Sequence, residues 1–156
     1  MANYASGTTV SATKTRDEIV ALLRKRGATK ILTYEDSTSL TFAMGFEFDG
    51  VPFRLSLPLP SPNHRDFTHH GSGPRTESER IKRYEAEINR RWRAFGMVIK
   101  AKIVAVEEGI SSMQAEFIGN AILSNGMTVA ETHADELKTL TALGRLPALA
   151  LPGGQS

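Results

Sequence analysis

Cysteine is absent from the sequence, which removes disulfides, thiolate nucleophiles and cysteine zinc sites together and fits a reducing compartment. Long apolar runs are absent too. No stretch approaches the roughly 18 residues that a membrane-spanning helix requires, and the opening "MANYASGTTVSATKTRDE" lacks the apolar core of a secretory signal. The expected location is therefore cytoplasmic, with no membrane partner. An excess of one charge sign is also missing: 19 basic residues oppose 17 acidic ones, and the net charge is +2, so overall charge implies no polyanionic partner. Catalytic signatures are lacking as well. There is no Gly-x-Ser-x-Gly elbow and no His-Glu-x-x-His, and "GSGP" is without the lysine of a phosphate loop. No catalytic residue, metal site or cofactor is expected.

What is present suits a single α+β domain. At 156 residues, 40% of them hydrophobic and 23% charged, the chain is long enough to bury a core without metals or disulfides. Residues 1–12 are small and polar without an apolar period and read as a flexible tail, 13–147 as the domain, and 148–156 as an extended C-terminal tail. A short first helix is predicted from "TRDEIVALLRKRG", with Thr15 and Glu18 as its capping box and Gly27 as its stop. The period then changes from 3.6 to 2. Leu40, Phe42, Met44, Phe46 and Phe48 alternate up to Asp49-Gly50, and Phe53, Leu55, Leu57 and Leu59 alternate after it. Two strands joined by a tight turn follow from this pattern, with "KILTYE" as a third strand before them. Pro52 and Pro58 place the last strand at an edge.

A long helix should cover this meander. Thr76 and Glu79 form a capping box, Gly109 is a stop, and Ile81, Tyr84, Ile88, Trp92, Phe95, Ile99, Ile103 and Val106 recur at spacings of three and four. Its front half is basic on the opposite face, whereas Phe95 to Val106 is apolar nearly all round and is expected to be covered on two sides. About 33 residues at about 1.5 Å each exceed the roughly 40 Å diameter of such a domain. A break near Gly96, or a homo-oligomer in which the helix crosses a subunit boundary, is the expected resolution. Downstream, Ser111 and Gln114 suggest a short helix, Asn125-Gly126 a small hairpin, and "THADELKTLTALGRLP" a final helix capped near Thr132 and closed by Gly144 and Pro147.

Charge is distributed unevenly. Arg75 to Lys102 holds nine basic residues against four acidic ones, so this segment more than accounts for the net positive charge. The loop before it, "PSPNHRDFTHHGSGPRT", carries His64, His69, His70 and Asp66, types that bind metals or move protons, but in no spacing that matches a known site. A polar connection with exposed histidines is the simpler reading. Loop and helix together make a basic ledge. Arg75, Lys82, Arg83, Arg90 and Arg93 would neutralise phosphates, and Phe67 would stack on an unpaired base. Against this, Glu77, Glu79, Glu85 and Glu87 can pair with basic neighbours three or four residues away.

The segments "RWRAFGMVIKAKIVAVEEGI", "EFIGNAILSNGMTV", "GRLPALALP", "TRDEIVALLRKRGATK" and "PFRLSLPLP" resemble a widespread group of small proteins encoded by phages and prophages, over about residues 11–152. The resemblance implies a setting among replication and recombination functions in a bacterial host and no reaction. The predicted order of elements is also shared by double-stranded RNA binding domains and by single-strand annealing proteins of phages, an analogy of topology only. The leading expectation is a non-enzymatic protein that binds nucleic acid, with single-stranded DNA favoured, in replication or recombination. The rival is a module that binds or inhibits a host or phage protein through apolar anchors such as Met97, Met113 and Phe117.

Overall fold

The computed structural model of the chain describes residues 2–71 and 73–145, with side chains described from residue 12 onward. Helix α1 (Ala2–Lys25) leads into strands β1 (Thr29–Asp36), β2 (Thr41–Phe48) and β3 (Val51–Pro58), an antiparallel meander in the order β1-β2-β3. A one-turn helix α2 (Arg65–Thr68) and the two-residue strands β4 (His69–His70) and β5 (Gly73–Pro74) lead to the long helix α3 (Glu77–Glu107). Helix α4 (Met113–Phe117), a 3-10 turn (Ile118–Asn120) and helix α5 (Val129–Ala142) complete an α+β fold. Among the described residues, no helix is long and apolar enough to cross a membrane.

The period-2 stretch folds as its alternation dictates. Phe42, Met44 and Phe46 of β2 and Phe53, Leu55 and Leu57 of β3 are buried on one sheet face. Asp49 (φ 48°) and Gly50 (φ 77°) both take the left-handed conformation that a tight right-twisted hairpin turn demands. Covering that face are Ile19 and Leu23 of α1, Trp92, Ile99 and Ile103 of α3, and Met113 and Phe117 of α4. Trp92 meets Phe42 edge-on at 4.4 Å, and Phe46 stacks on Phe53 at 5.1 Å.

Helix α3 starts at the expected capping box, in which Thr76 and Glu79 bond each other's backbone N–H, and Gly109 (φ 68°) follows its end. It runs unbroken through Gly96, so the expected break is not there. At Gly96 the backbone instead lies close to α1: a Cβ would come within 3.0 Å of Thr15 Cγ2. An ion pair between Arg26 and Glu107 joins the other end of α1 to α3. Within one copy of the chain, Phe95 to Val106 is not covered on two sides. Met97, Val98 and Val104 remain exposed even though α1 packs against α3, and Met97 borders the groove between the two helices.

Three helix starts differ from the sequence reading. Helix α1 begins at Ala2, so the segment expected as a tail is helical and Thr15 and Glu18 lie inside it. No proline in this stretch stops the helix from extending back from its packed half. Helix α4 is capped by Ser112, one residue beyond Ser111, through a bond from Ala115 N. Helix α5 is capped by Thr128, four residues before Thr132, where Thr128 and Glu131 form a full capping box. The Asn125-Gly126 hairpin is reduced to an isolated bridge, Ile122 with Thr128. Arg54 ties α5 to the sheet by donating to Gly126 O (3.0 Å) and Glu131 Oε2 (2.7 Å). Pro147 and the expected C-terminal tail lie outside the described residues.

Candidate nucleic-acid interface

The loop after β3 is pinned onto the front half of α3 by an aromatic contact. Phe67 is buried and meets Tyr84 edge-on at 5.4 Å, while the Tyr84 hydroxyl donates to Pro60 O at 3.1 Å. Burial holds the Tyr84 hydroxyl above its ordinary pKa. Phe67 is therefore a packing residue. The expectation that it stacks on a base is corrected, since Phe67 is only 8% exposed and reaches the neighbouring cleft by no more than an edge. Among the aromatic side chains described, Tyr34 on β1 is the one exposed by more than a third.

Arg75 is likewise committed to the loop. Its Nε donates to His69 O at 3.0 Å, and Nη2 lies 3.5 Å from His70 Nδ1. It closes the β4–β5 hairpin and offers little to a phosphate. The histidines serve the same local architecture: His64 caps α2 by accepting from Asp66 N, and His69 Nδ1 is 2.8 Å from Thr68 Oγ1. Among the described residues, no three histidine or carboxylate side chains are grouped so as to hold a metal ion.

Between the loop and α3 lies an open cleft of about 530 Å³, lined by Pro60, His64, Asp66, Phe67 and Ala86 and by Arg83, Glu87, Arg90 and Arg91 of α3. The side chains reach it because positions 83, 87, 90 and 91 recur at three and four residues along one face of α3. Glu87 organises the floor. Arg90 grips it with two bonds, Nε to Oε2 at 2.8 Å and Nη2 to Oε1 at 2.7 Å. Arg91 adds a third at 2.9 Å and donates to Pro58 O at 3.0 Å, tying α3 to the end of β3. These bonds, that of Arg90 foremost, hold the Glu87 carboxyl down at about 2, from an ordinary 4.5.

The sign of the resulting pH dependence follows. A depressed folded-state pKa stabilises the fold fully above the unfolded value, and the contribution is lost as pH falls from about 4.5 towards about 2. Urea unfolding at about pH 7 and about pH 3 is expected to show a smaller acid loss in Glu87→Gln than in the wild type. Equal acid losses would show that Glu87 is not the group responsible.

Of the phosphate-binding residues expected from the sequence, Arg83 and Arg90 converge on this cleft. Arg93 does not. It lines a separate groove between α1 and α3, with Thr15, Glu18, Leu22, Met97 and Lys100. Lys82 is exposed on α3, and neither it nor Arg83 has an ion-pair partner among the described residues. Arg91 and His64 belong to the cleft although sequence reasoning passed over them as site residues. The available signal was the i, i+4 spacing of Glu87 and Arg91. Lys102, counted with the basic residues, is used structurally: Nζ donates to Glu116 O at 2.6 Å and sits 5.5 Å from the centre of the Phe117 ring.

Comparison with protein families, curated proteins and solved structures gives no match.

Proposed function

We propose that the protein binds single-stranded nucleic acid through this cleft and the adjoining face of α3, with little sequence preference and without chemistry of its own. The observation that carries the reading is the convergence of three guanidinium groups, Arg83, Arg90 and Arg91, on an open cleft with two carboxylates, of which Glu87 is already bonded to two of the arginines and Asp66 lies 3.4 Å from His64. Arg83 and the exposed edge of Arg90 then supply the phosphate contacts, with Lys82 beside them. The resemblance to phage and prophage proteins supports a setting in replication or recombination within a bacterial host. The test is fluorescence anisotropy of labelled single-stranded DNA, duplex DNA and RNA across a range of salt. Two phosphate contacts would give a slope of log affinity against log salt of about −1.4 for single strands. Binding that ignores salt, or no binding to any of the three, would overturn the reading.

A second reading rests on a different observation. Met97 is 72% exposed, with Val98 and Val104 open on the same half of α3, an apolar strip suited to a protein partner. The other anchors named for this reading, Met113 and Phe117, are buried and unavailable. A partner retained after nuclease treatment and lost on Met97→Glu would favour it.

A further inference from the structure

The two edges of the sheet are treated differently. On β3, Pro52 and Pro58 have no N–H to offer, and three outward carbonyls are already bonded within the chain: Pro52 O by Ile122 N, Arg54 O by Asn120 Nδ2, and Pro58 O by Arg91 Nη1. Most of that edge is closed, with Arg54 N–H and the backbone groups of Ser56 left unbonded among the described residues. Strand β1 is irregular at its start, between Thr29 and Leu32, where Lys30 has φ 49°, but from Leu32 to Asp36 it has no such protection: the strand contains no buried residue, and Leu32 and Tyr34 are 70% and 63% exposed. Long open edges of this kind template pairing with another strand.

The register shows which groups are open. Thr41 and Glu47 pair with the two prolines, so β2 bonds to β3 through Phe42, Met44, Phe46 and Phe48, and turns Thr41, Ala43 and Gly45 towards Asp36, Tyr34 and Leu32 of β1. The backbone N–H and C=O of Thr33 and Glu35 therefore face outward, and among the described residues nothing bonds them. We infer that β1 is the site of self-association, pairing antiparallel with β1 of a second copy about a two-fold axis at Thr33.

Three features of β1 favour a second copy as the occupant. Antiparallel pairing centred on Thr33 sets Leu32 of one strand beside Tyr34 of the other, twice, so that both exposed apolar side chains gain a cross-strand neighbour. The same pairing brings the end of one strand that carries Lys30, in the irregular turn before Leu32, near the Glu35 and Asp36 end of the other, a charge complementarity that β1 has with itself; Lys30 remains 73% exposed even while paired with Glu47. Finally, the prolines and bonded carbonyls at both ends of β3 leave β1 as the longer open edge on each copy, so the pairing ends at a six-stranded dimer and does not run on as a chain.

The chain's lack of cysteine makes the inference directly testable. Thr33→Cys is expected to give a covalent dimer under mild oxidation, whereas Ser56→Cys, exposed on the β3 edge, is expected to stay monomeric. Sedimentation of the unmodified protein should show a concentration-dependent dimer. Two variants should raise its dissociation constant at least about tenfold while circular dichroism stays unchanged. Thr33→Pro removes an outward N–H that β2 does not use, and Leu32→Lys/Tyr34→Lys places like charges opposite each other. A protein monomeric at all concentrations, equal cross-linking at Ser56, or a dimer that tolerates both variants would overturn the inference.

Discussion

Phe117→Ala is expected to lower the free energy of unfolding by about 3–5 kcal/mol, the range for deleting a fully enclosed aromatic ring. Phe117 is 0% exposed and packs edge-on against Phe46 at 5.6 Å and Phe53 at 6.4 Å, where sheet, α3 and α4 meet. Its loss also strips the ring from beneath Lys102. Against a typical stability of about 5–15 kcal/mol, the variant should unfold at markedly lower urea, with the slope of the transition unchanged. Met97→Ala provides the contrast: a side chain 72% exposed on α3 should cost no more than about 0.5 kcal/mol. Sequence patterning had placed both residues together as surface anchors. A Phe117→Ala variant as stable as Met97→Ala would contradict the packing described.

The second large effect concerns binding. Arg83→Glu/Arg90→Glu should weaken single-stranded nucleic-acid binding about a hundredfold at low salt, since each charge-assisted contact is worth about 1.5 kcal/mol and a tenfold change is about 1.4 kcal/mol. The salt slope should fall towards zero at the same time, because the phosphate contacts themselves are gone. The fold should survive. Arg90 is 62% exposed, so solvent screens its ion pair, and Arg91 continues to hold Glu87. Lys138→Glu/Arg145→Glu supplies the matched control, with the same change in net charge at exposed positions on and after α5. Equal losses in the two variants would attribute binding to overall charge and not to the cleft.

Much of the architecture was legible because it is written locally. The switch from a 3.6 to a 2.0 period, the Asp49-Gly50 turn, the Thr76/Glu79 box and the prolines of β3 each act within a few residues of themselves, and each appears where expected. Ambiguity arose where two local signals competed. Ser111 and Ser112 both suit a cap, as do Thr128 and Thr132, and in each case the surrounding packing selects one. Gly96 suggested a break, and its contact with Thr15 shows a close approach of two helices instead.

The candidate site was legible in composition but not in membership. Sequence alone determined that positive charge gathers on the loop and the front of α3, and that an apolar stripe lies opposite. Only the tertiary structure decided that Arg75 is spent on the loop, that Phe67 is enclosed by Tyr84, that Arg93 turns towards α1, and that Arg83, Arg90 and Arg91 share one cleft. It also decided that Phe117 is core while Met97 is open, and that one edge of the sheet is mostly closed while the other is not. The physical reason is the same throughout. Periodicity fixes which face of an element is apolar, whereas burial, charge pairing and edge protection depend on groups brought together from distant positions in the chain.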